Sequence, residues 1–491
     1  MDTKNFDAII IGSGIGGSAC AALLSAEGFK TLVLEKNKEI GGMCSSYKKQ
    51  GFILDSAIHV FSSGIKGRFG KIMKRIKLDN LKFVNITDKN AIRALNQKGY
   101  TKLAMSPNTI EKNKGANFKD SDKVDLSAMG FEKEDMKVFI RIIGNILQTS
   151  RRKLREMHKQ KLSLESYLDQ FNPSKGVKSL LAFLTGGMFG ISPKMASAPE
   201  FIQGLTEWIV TNDLSYPIGG AVAVPRAFLD GVKKFGGEIY TNTKVSKILI
   251  ENDKVIGVQL DDGQIIYSNL IISNAGIKPT VLKLVGTEYF TSDYVEKVKN
   301  LISSYSAITF KFALKEPIIE NYVFVNLYHG DLSVFGEKER PPNSPKATGF
   351  MVMIPTNADP NLAPRGNQIV IFGTLAPTRR KNWDKWTDHY YNEILKFYPD
   401  IEDKMIFVDI TTPEDLAALS GKSFGPIETT ALTPEQSGPY RISSELPIEG
   451  LYVVGDTAGT NTHGIGTQLA ADSALKLAKL IIQKYKPKRG E

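Results

Sequence analysis

From Asp7 to Gly42 the chain reads DAIIIGSGIGGSACAALLSAEGFKTLVLEKNKEIGG. Ala8–Ile11 is a short apolar run of the kind that forms a strand buried in a parallel sheet. Gly12, Gly14 and Gly17 follow at G-x-G-x-x-G spacing, and the small, apolar residues Ser18–Ala26 suit a helix. Thr31–Leu34 is a second apolar run, and it ends in Glu35. The order strand, glycine turn, helix, strand, acid has a mechanical logic. Gly12 permits the tight turn, Gly14 lets backbone approach a pyrophosphate, and Gly17 lets the helix pack on the strand. The helix N-terminus offers free N–H groups and partial positive charge to phosphates. Glu35 can accept hydrogen bonds from ribose hydroxyls, and its charge would repel a 2′-phosphate. The segment therefore predicts dinucleotide binding, and a further glycine pair, Gly41-Gly42, follows the second strand.

The chain has 491 residues, enough for two or three domains at roughly 100–200 residues each. Hydrophobic residues make up 42% and charged residues 23%, so a large core can form. The two cysteines, Cys20 and Cys44, can build neither a disulfide framework nor a four-ligand metal site, and no metal is expected. Cys20 reads as a packing residue, whereas Cys44 follows the Gly41-Gly42 turn and is a candidate to approach the cofactor. No signal peptide precedes the first strand, and no run of about 18 apolar residues exists, which points to a cytoplasmic protein without membrane spans. The balance of 63 basic to 52 acidic residues gives a net charge of +11. That suits nucleic acid or an anionic membrane surface. No nucleic-acid module is visible, so peripheral membrane attachment is the expectation.

In Ile65–Leu78 the residues Ile65, Phe69, Ile72, Met73 and Ile76 share a helical face, with Lys66, Lys71, Lys74, Arg75 and Lys77 around it. It reads either as a helix docked on its own core or as an interfacial helix. The region from Phe83 to Lys123 reads as short strands and a loop, polar and solvated over Asn108–Asp125. A helix begins near Glu132, with Phe139, Ile142, Ile143, Ile146 and Leu147 on one face and the cluster Arg151, Arg152, Lys153 and Arg155 beyond it. Leu180–Ile191 is apolar but too short to span; it reads as a buried helix, a tunnel wall or a segment dipping into lipid. Gly219-Gly220 precedes a helix over Pro225–Phe235, which Gly236-Gly237 ends. Strands follow at Glu238–Tyr240, Thr243–Glu251 and Val255–Leu260, then comes the hairpin turn Asp262-Gly263, and Leu270–Ser273 is another apolar run. Further strands fall at Ser304–Leu314, Tyr322–Tyr328, Gly349–Ile354 and Gln368–Leu375, and a helix at Trp383–Tyr398. Gly450–Asp456 is a third strand-to-glycine element, and Thr467–Tyr485 is a long amphipathic helix.

Gly12–Gly17 with Glu35 and Gly41-Gly42, then Tyr216–Gly220 (YPIGG), then Leu451–Gly466 resemble, in this order, the phytoene desaturase, carotenoid isomerase and retinol saturase group of flavoproteins. That group belongs to the wider amine-oxidase-like FAD superfamily, and Asp359–Gly366 (DPNLAPRG) looks like its proline-bearing loop. The resemblance covers nearly the whole chain and is loosest in the middle, where substrate and chemistry reside. It implies an α/β protein: a discontinuous Rossmann-type FAD-binding domain from residues 1–80, 215–300 and 440–491. An inserted α+β substrate domain takes residues 81–214 and 301–439, with a helical, potentially membrane-associating part.

The candidate cofactor contacts are Gly12, Gly14, Ile15, Gly16, Gly17, Glu35, Lys36, Gly41, Gly42, Met43, Val245, Asn274, Gly455, Asp456, Gly464, Ile465, Gly466 and Thr467. The resemblance assigns Asp456 to the ribityl chain, Val245 to adenine, and the Gly464–Thr467 turn to the flavin pyrimidine edge. There the last helix would stabilise negative charge on a reduced flavin. His463 and His59 are the catalytic candidates, although hydride removal from an allylic carbon needs no strong base. Arg441 is a candidate for a substrate or flavin phosphate. The implied activity is hydride transfer between a long isoprenoid or polyene and flavin N5, as a desaturase, saturase or isomerase. The electron partner would be a quinone, oxygen or another carrier. Two alternatives share the fold: an amine or amino-acid oxidase, and a carrier of prenylated small GTPases.

Overall fold

Ala8–Ile11 is buried along its whole length because both of its faces are covered. Ala8 and Ile10 enter one apolar cluster, and Ile9 and Ile11 enter another on the opposite side. The same alternation splits Val33 from Leu32 and Leu34, and Ile272 from Ile271. This period of two is what a strand in the middle layer of a sandwich requires. In the computed structural model, residues 6–57, 59–87, 92–96, 99–103, 133–327, 349–376 and 382–485 are described.

The strand belongs to a five-stranded, all-parallel sheet among the described residues. Its order from edge to edge is Glu238–Tyr240, Thr31–Leu34, Ala8–Ile11, Ile271–Ser273 and Leu451–Val453. The chain leaves Ala8–Ile11 toward one edge and returns on the other side. The strand order therefore reverses between Ala8–Ile11 and Ile271–Ser273, where open α/β sheets hold their ligands. Helices Ile15–Ala26, Ala223–Lys234 and Thr467–Tyr485 cover one face. The antiparallel strands Val245–Glu251, Lys254–Leu260 and Ile265–Tyr267 cover the other. The first two helices approach closely because Gly231 faces Ala22; a Cβ on Gly231 would lie 3.4 Å from that of Ala22. Ser18 and Ser25 remain in the buried first helix because their hydroxyls donate to the carbonyls of Gly14 and Ala21.

A second sheet, seven-stranded among the described residues, runs Met405–Thr411, Ser306–Leu314, Gln368–Ala376, Gly349–Met353, Val323–Leu327, Ile92–Asn96 and Gly99–Leu103. Helix Asp384–Phe397 packs Trp386 and Tyr390 on one face, over Phe310, Phe350 and Phe372. The hairpin Ser46–Lys49 and Phe52–Asp55 lies on the other, with Phe52 and Leu54 against Ile369 and Ile371. A helical layer contains Lys133–Leu147, Arg151–Lys159, Leu164–Asp169, Lys175–Phe189 and Ala198–Thr211. Ser150, Ser163 and Ser174 start three of these helices by accepting the amides of Lys153, Ser166 and Val177.

Two segments that the sequence leaves open are resolved by packing. Within Ile65–Leu78, the helix is Arg68–Ile76, and Phe69, Ile72, Met73 and Ile76 are buried against the first helix layer. Its apolar face belongs to the protein's own core, so it is not an interfacial helix. Leu180–Ile191 lies mostly within helix Lys175–Phe189, and Leu180, Leu181 and Phe189 are core residues, which rules out a lipid-dipping segment. Asn108–Asp125 lies outside the described residues, as does Tyr328. No helix among the described residues is long and apolar enough to cross a membrane.

Candidate functional site

Four strand ends of the parallel sheet converge on one slot. Gly12 carries φ +96°, so the chain turns directly after Ile11. A Cβ on Gly14 would lie 2.7 Å from Asn274 Nδ2, and one on Gly16 would lie 2.7 Å from Gly455 Cα and 2.8 Å from Asn274 Oδ1. On Gly17 it would meet the Gly12 carbonyl oxygen at 2.1 Å. The glycine turn therefore meets Gly455 backbone to backbone, and the Asn274 side chain lies against both. Gly42 faces Gly14 in the same way: its missing Cβ would stand 3.7 Å from Gly14 Cα. The N-cap of the first helix, Gly14, has no side chain to cap with, and its first turn contains no acid. Its amides and dipole are thus left to an anion. These are the features a pyrophosphate needs, so the residues fit the dinucleotide that the sequence implies.

Glu35 ends the second strand with 4% of its surface exposed. Its Oε2 accepts from Ser13 N at 2.9 Å and Ser13 Oγ at 2.6 Å, and Oε1 accepts from Asn37 N at 2.9 Å. Ser13 Oγ in turn accepts from Gly41 N at 2.9 Å. The acid therefore braces both glycine turns. Thr243 N donates to the Glu35 carbonyl at 2.8 Å, which fixes the chain two residues before buried Val245.

The other end of the slot is the turn between Leu451–Val453 and the last helix. Asp456 is held by Lys422 Nζ at 2.8 Å, Thr429 N at 2.8 Å and Thr429 Oγ1 at 2.7 Å. Burial pushes its carboxyl up, but Lys422 and Thr429 outweigh this and hold it below the usual carboxylate range. Gly466 N donates to Glu428 Oε1 at 2.9 Å. Glu428 is completely buried, and its Oε2 has no hydrogen-bond partner. Burial first, and then the charge of Asp456, raise Glu428 to about 8. Arg441 donates through Nη2 to the Asp456 carbonyl at 2.5 Å, so it organises this turn. Thr467 opens the last helix, and Ile465 turns away from the slot into the helical layer, 3.0 Å from the Cβ position of Gly204.

A strap crosses the front of the slot. Helix Pro413–Ser420 packs Leu416 with Met43, Ala57 and Ile427. Lys36 Nζ donates to the Ala418 carbonyl at 2.6 Å, and Asn37 Nδ2 to that of Leu419 at 3.0 Å. Lys422 then reaches Asp456, so the strap is tied at both ends. Burial lowers the Lys36 pKa, with Glu35 opposing.

The two histidines are in different surroundings. His59 stacks on Phe61 at 5.8 Å, and its Nδ1 lies 3.0 Å from the Ala57 carbonyl. Its Nε2 is 3.5 Å from Cys44 Sγ, and burial drives its pKa down. Burial raises the Cys44 thiol far above its ordinary value, so the pair holds no thiolate. His463 lies beside the Gly464 turn, with its Nδ1 3.1 Å from Glu200 Oε1.

Several working residues escape the sequence reading. Asp55 accepts from Tyr216 Oη at 2.6 Å, Ala221 N at 2.9 Å and Ser46 Oγ at 2.6 Å. Asp359 accepts from Gly219 N at 2.8 Å. These acids lock the YPIGG segment to the hairpin and to the DPNLAPRG loop. The only signal of Asp55 in the sequence is an acid next to an apolar run, whereas Asp359 opens the DPNLAPRG loop without its partner being legible. Glu428, Lys422 and Glu200 carry no local signal at all, since their partners come from distant segments.

This arrangement defines a dinucleotide-binding α/β oxidoreductase fold in which both ends of the chain close one slot. The chain belongs to the flavin containing amine oxidoreductase family, whose model matches residues 15–482. It is an FAD-dependent oxidoreductase. It is 25% identical to a chloroplastic prolycopene isomerase of Daucus carota, over 93% of this chain and 77% of that one. It is 24% identical to a zeta-carotene-forming phytoene desaturase of Myxococcus xanthus, over 94% of this chain and 91% of that one. Its fold is similar to the crystal structure of an oxidoreductase from Methanosarcina mazei, with a TM-score of 0.70 and 21% identity over 96% of this chain and 99% of that one.

Proposed function

We propose that this flavoenzyme acts on a long apolar isoprenoid or polyene. The observation that carries this is the wall beside the Gly464–Thr467 turn. Ile465 leaves that turn and packs with Met188, Gly204 and Leu469 in the apolar helical layer. A substrate reaching the turn from this side meets hydrocarbon. The names of the relatives, a prolycopene isomerase and a phytoene desaturase, agree with such a substrate.

The residues divide the work by position. Gly12, Gly14, Ile15, Gly16 and Gly17 present first-helix amides to the pyrophosphate, with Gly41, Gly42 and Met43 opposite. Glu35 takes the adenosine ribose, Val245 lies toward adenine, and Asn274 and Gly455 floor the slot. Asp456 takes the ribityl end, and Gly464 and Thr467 offer amides to the pyrimidine edge, with Gly466 between them held in place by Glu428. Bound there, FAD supplies a ring nitrogen that accepts or returns a hydride. Lys36 and Lys422 hold the strap over the slot and exclude water. The chain's part in the reaction is positioning together with a helix N-terminus that favours negative charge. A quinone, oxygen or another carrier balances the electrons.

We also propose that the basic residues Lys66, Lys71 and Lys74 bring the protein to an anionic membrane surface by charge alone. They line a concave surface of about 460 Å³ beside helix Arg68–Ile76. Binding to anionic vesicles that fades between low and physiological salt is the expected behaviour. Equal binding to neutral vesicles contradicts it.

The deciding experiment incubates the purified holoenzyme anaerobically with lycopene, phytoene and retinol, each with oxidised and with reduced flavin. A change in flavin absorbance with a product shifted by two hydrogens, or an isomer with no mass change, supports the reading. Turnover of amines with peroxide release, and none of polyenes, overturns it.

A further inference from the structure

His158, Glu200 and His463 come from three distant places: helix Arg151–Lys159, the first turn of helix Ala198–Thr211, and the turn before the last helix. Their side chains meet in the interior, with Glu200 2% and His158 6% exposed. His463 Nδ1 lies 3.1 Å from Glu200 Oε1 and 3.2 Å from Oε2. His158 Nε2 lies 3.6 Å from Glu200 Oε1. One donor atom from each residue falls within 4.8 Å of the other two.

The distances separate two explanations. At 3.6 Å, His158 and Glu200 are too far apart for a hydrogen bond. Neither ring nitrogen of His158 has a hydrogen-bond partner, although the ring is buried. Leaving a buried polar ring unsatisfied is unfavourable. Ligands bonded at about 2.0–2.2 Å to one tetrahedral ion stand roughly 3.4 Å apart. The 3.1 Å and 3.6 Å separations around Glu200 bracket that value. The ring also depends on glycine at 438, where a Cβ would fall 2.3 Å from His158 Cε1. Arg441, whose charge acts on Glu200, is tied to the Asp456 carbonyl, and Asp472 accepts from His463 N at 3.0 Å.

We propose that His158, Glu200 and His463 form a divalent transition-metal site with an open fourth position. Two imidazoles and one carboxylate suit zinc or ferrous ion. The ion would tie the helical layer to the turn that carries Gly464. This inference does not depend on the identity of the organic substrate.

The test uses full-length protein, stripped with a chelator and titrated with Co²⁺. The expected result is one saturable site per chain with visible cobalt bands beyond the flavin absorption, reversed by Zn²⁺, and a melting temperature that rises with Zn²⁺. Glu200→Gln and His158→Asn should each weaken binding at least tenfold while the 450 nm flavin absorbance shows a folded holoenzyme. Absence of cobalt bands and of any zinc-dependent rise in the unmutated protein overturns the proposal, whatever the variants do. Unchanged affinity in both variants overturns it as well.

Discussion

Gly16→Ala is the substitution that most directly loads the contact between the two ends of the chain. The added methyl would lie 2.7 Å from Gly455 Cα and 2.8 Å from Gly455 N. Carbons settle at about 3.5 Å, so the first turn and the last strand must separate by about 0.8 Å. Both partners are main chain and cannot rotate away. Overpacking of this kind costs about 1–3 kcal/mol. The displaced amides are those offered to the pyrophosphate, so much of this penalty should appear in cofactor affinity. At about 1.4 kcal/mol per decade, FAD binding should weaken roughly 10- to 100-fold. Titration of flavin-free protein with FAD, followed by fluorescence quenching, reads this out. Gly187→Ala is the control. It lies within helix Lys175–Phe189 with nothing within 4 Å of its Cβ position. It should gain roughly 0.5–1 kcal/mol of stability and leave FAD affinity unchanged. Unaltered affinity in Gly16→Ala would refute the claim that the chain ends jointly grip the cofactor.

Other consequences follow from the same geometry. Because Glu428 is raised to about 8 when folded, its neutral form favours the native state. That contribution is complete below pH 4.5 and is lost as pH rises toward 8. Glu428→Gln should remove on the order of 4 kcal/mol of this decline, seen as a flatter denaturation profile between pH 5 and 8; an unchanged profile counts against the buried acid. Asp456 has the opposite sign: its depressed pKa stabilises the fold above the ordinary carboxylate range, and the gain is lost on acidification. Lys422→Met should cost about 3 kcal/mol at pH 7 and shrink the acid-side loss, as urea melts at pH 7 and pH 4 would show. Phe69→Ala should cost about 3–5 kcal/mol, since the ring is fully buried, and should leave vesicle binding unchanged in any fraction that folds. A large loss of vesicle affinity would instead return that face to the membrane.

What the sequence discloses, and what it withholds, has a physical pattern. Ala8–Ile11, Thr31–Leu34 and Thr467–Tyr485 are legible because local pattern and tertiary role coincide. The glycine turn is legible because its constraint is steric and local. The fate of Arg68–Ile76 is not, because the same amphipathic face can meet lipid or the protein's own helices. The strap at Pro413–Ser420 is also hidden, since its ties to Lys36 and Asn37 span 382 residues of sequence. His158, Glu200 and His463 are separately unremarkable, and only folding makes them neighbours. His59 and His463, alike as sequence candidates, differ because one meets a thiol and the other a buried carboxylate.

The most direct measurement is an experimental structure of the protein with FAD bound. The account predicts adenosine between Glu35 and Val245, pyrophosphate on the amides of Ile15–Gly17, and the flavin ring at Gly464–Thr467 facing the apolar helices. A ring that faces bulk water, or a nucleotide bound away from the first glycine turn, would contradict it.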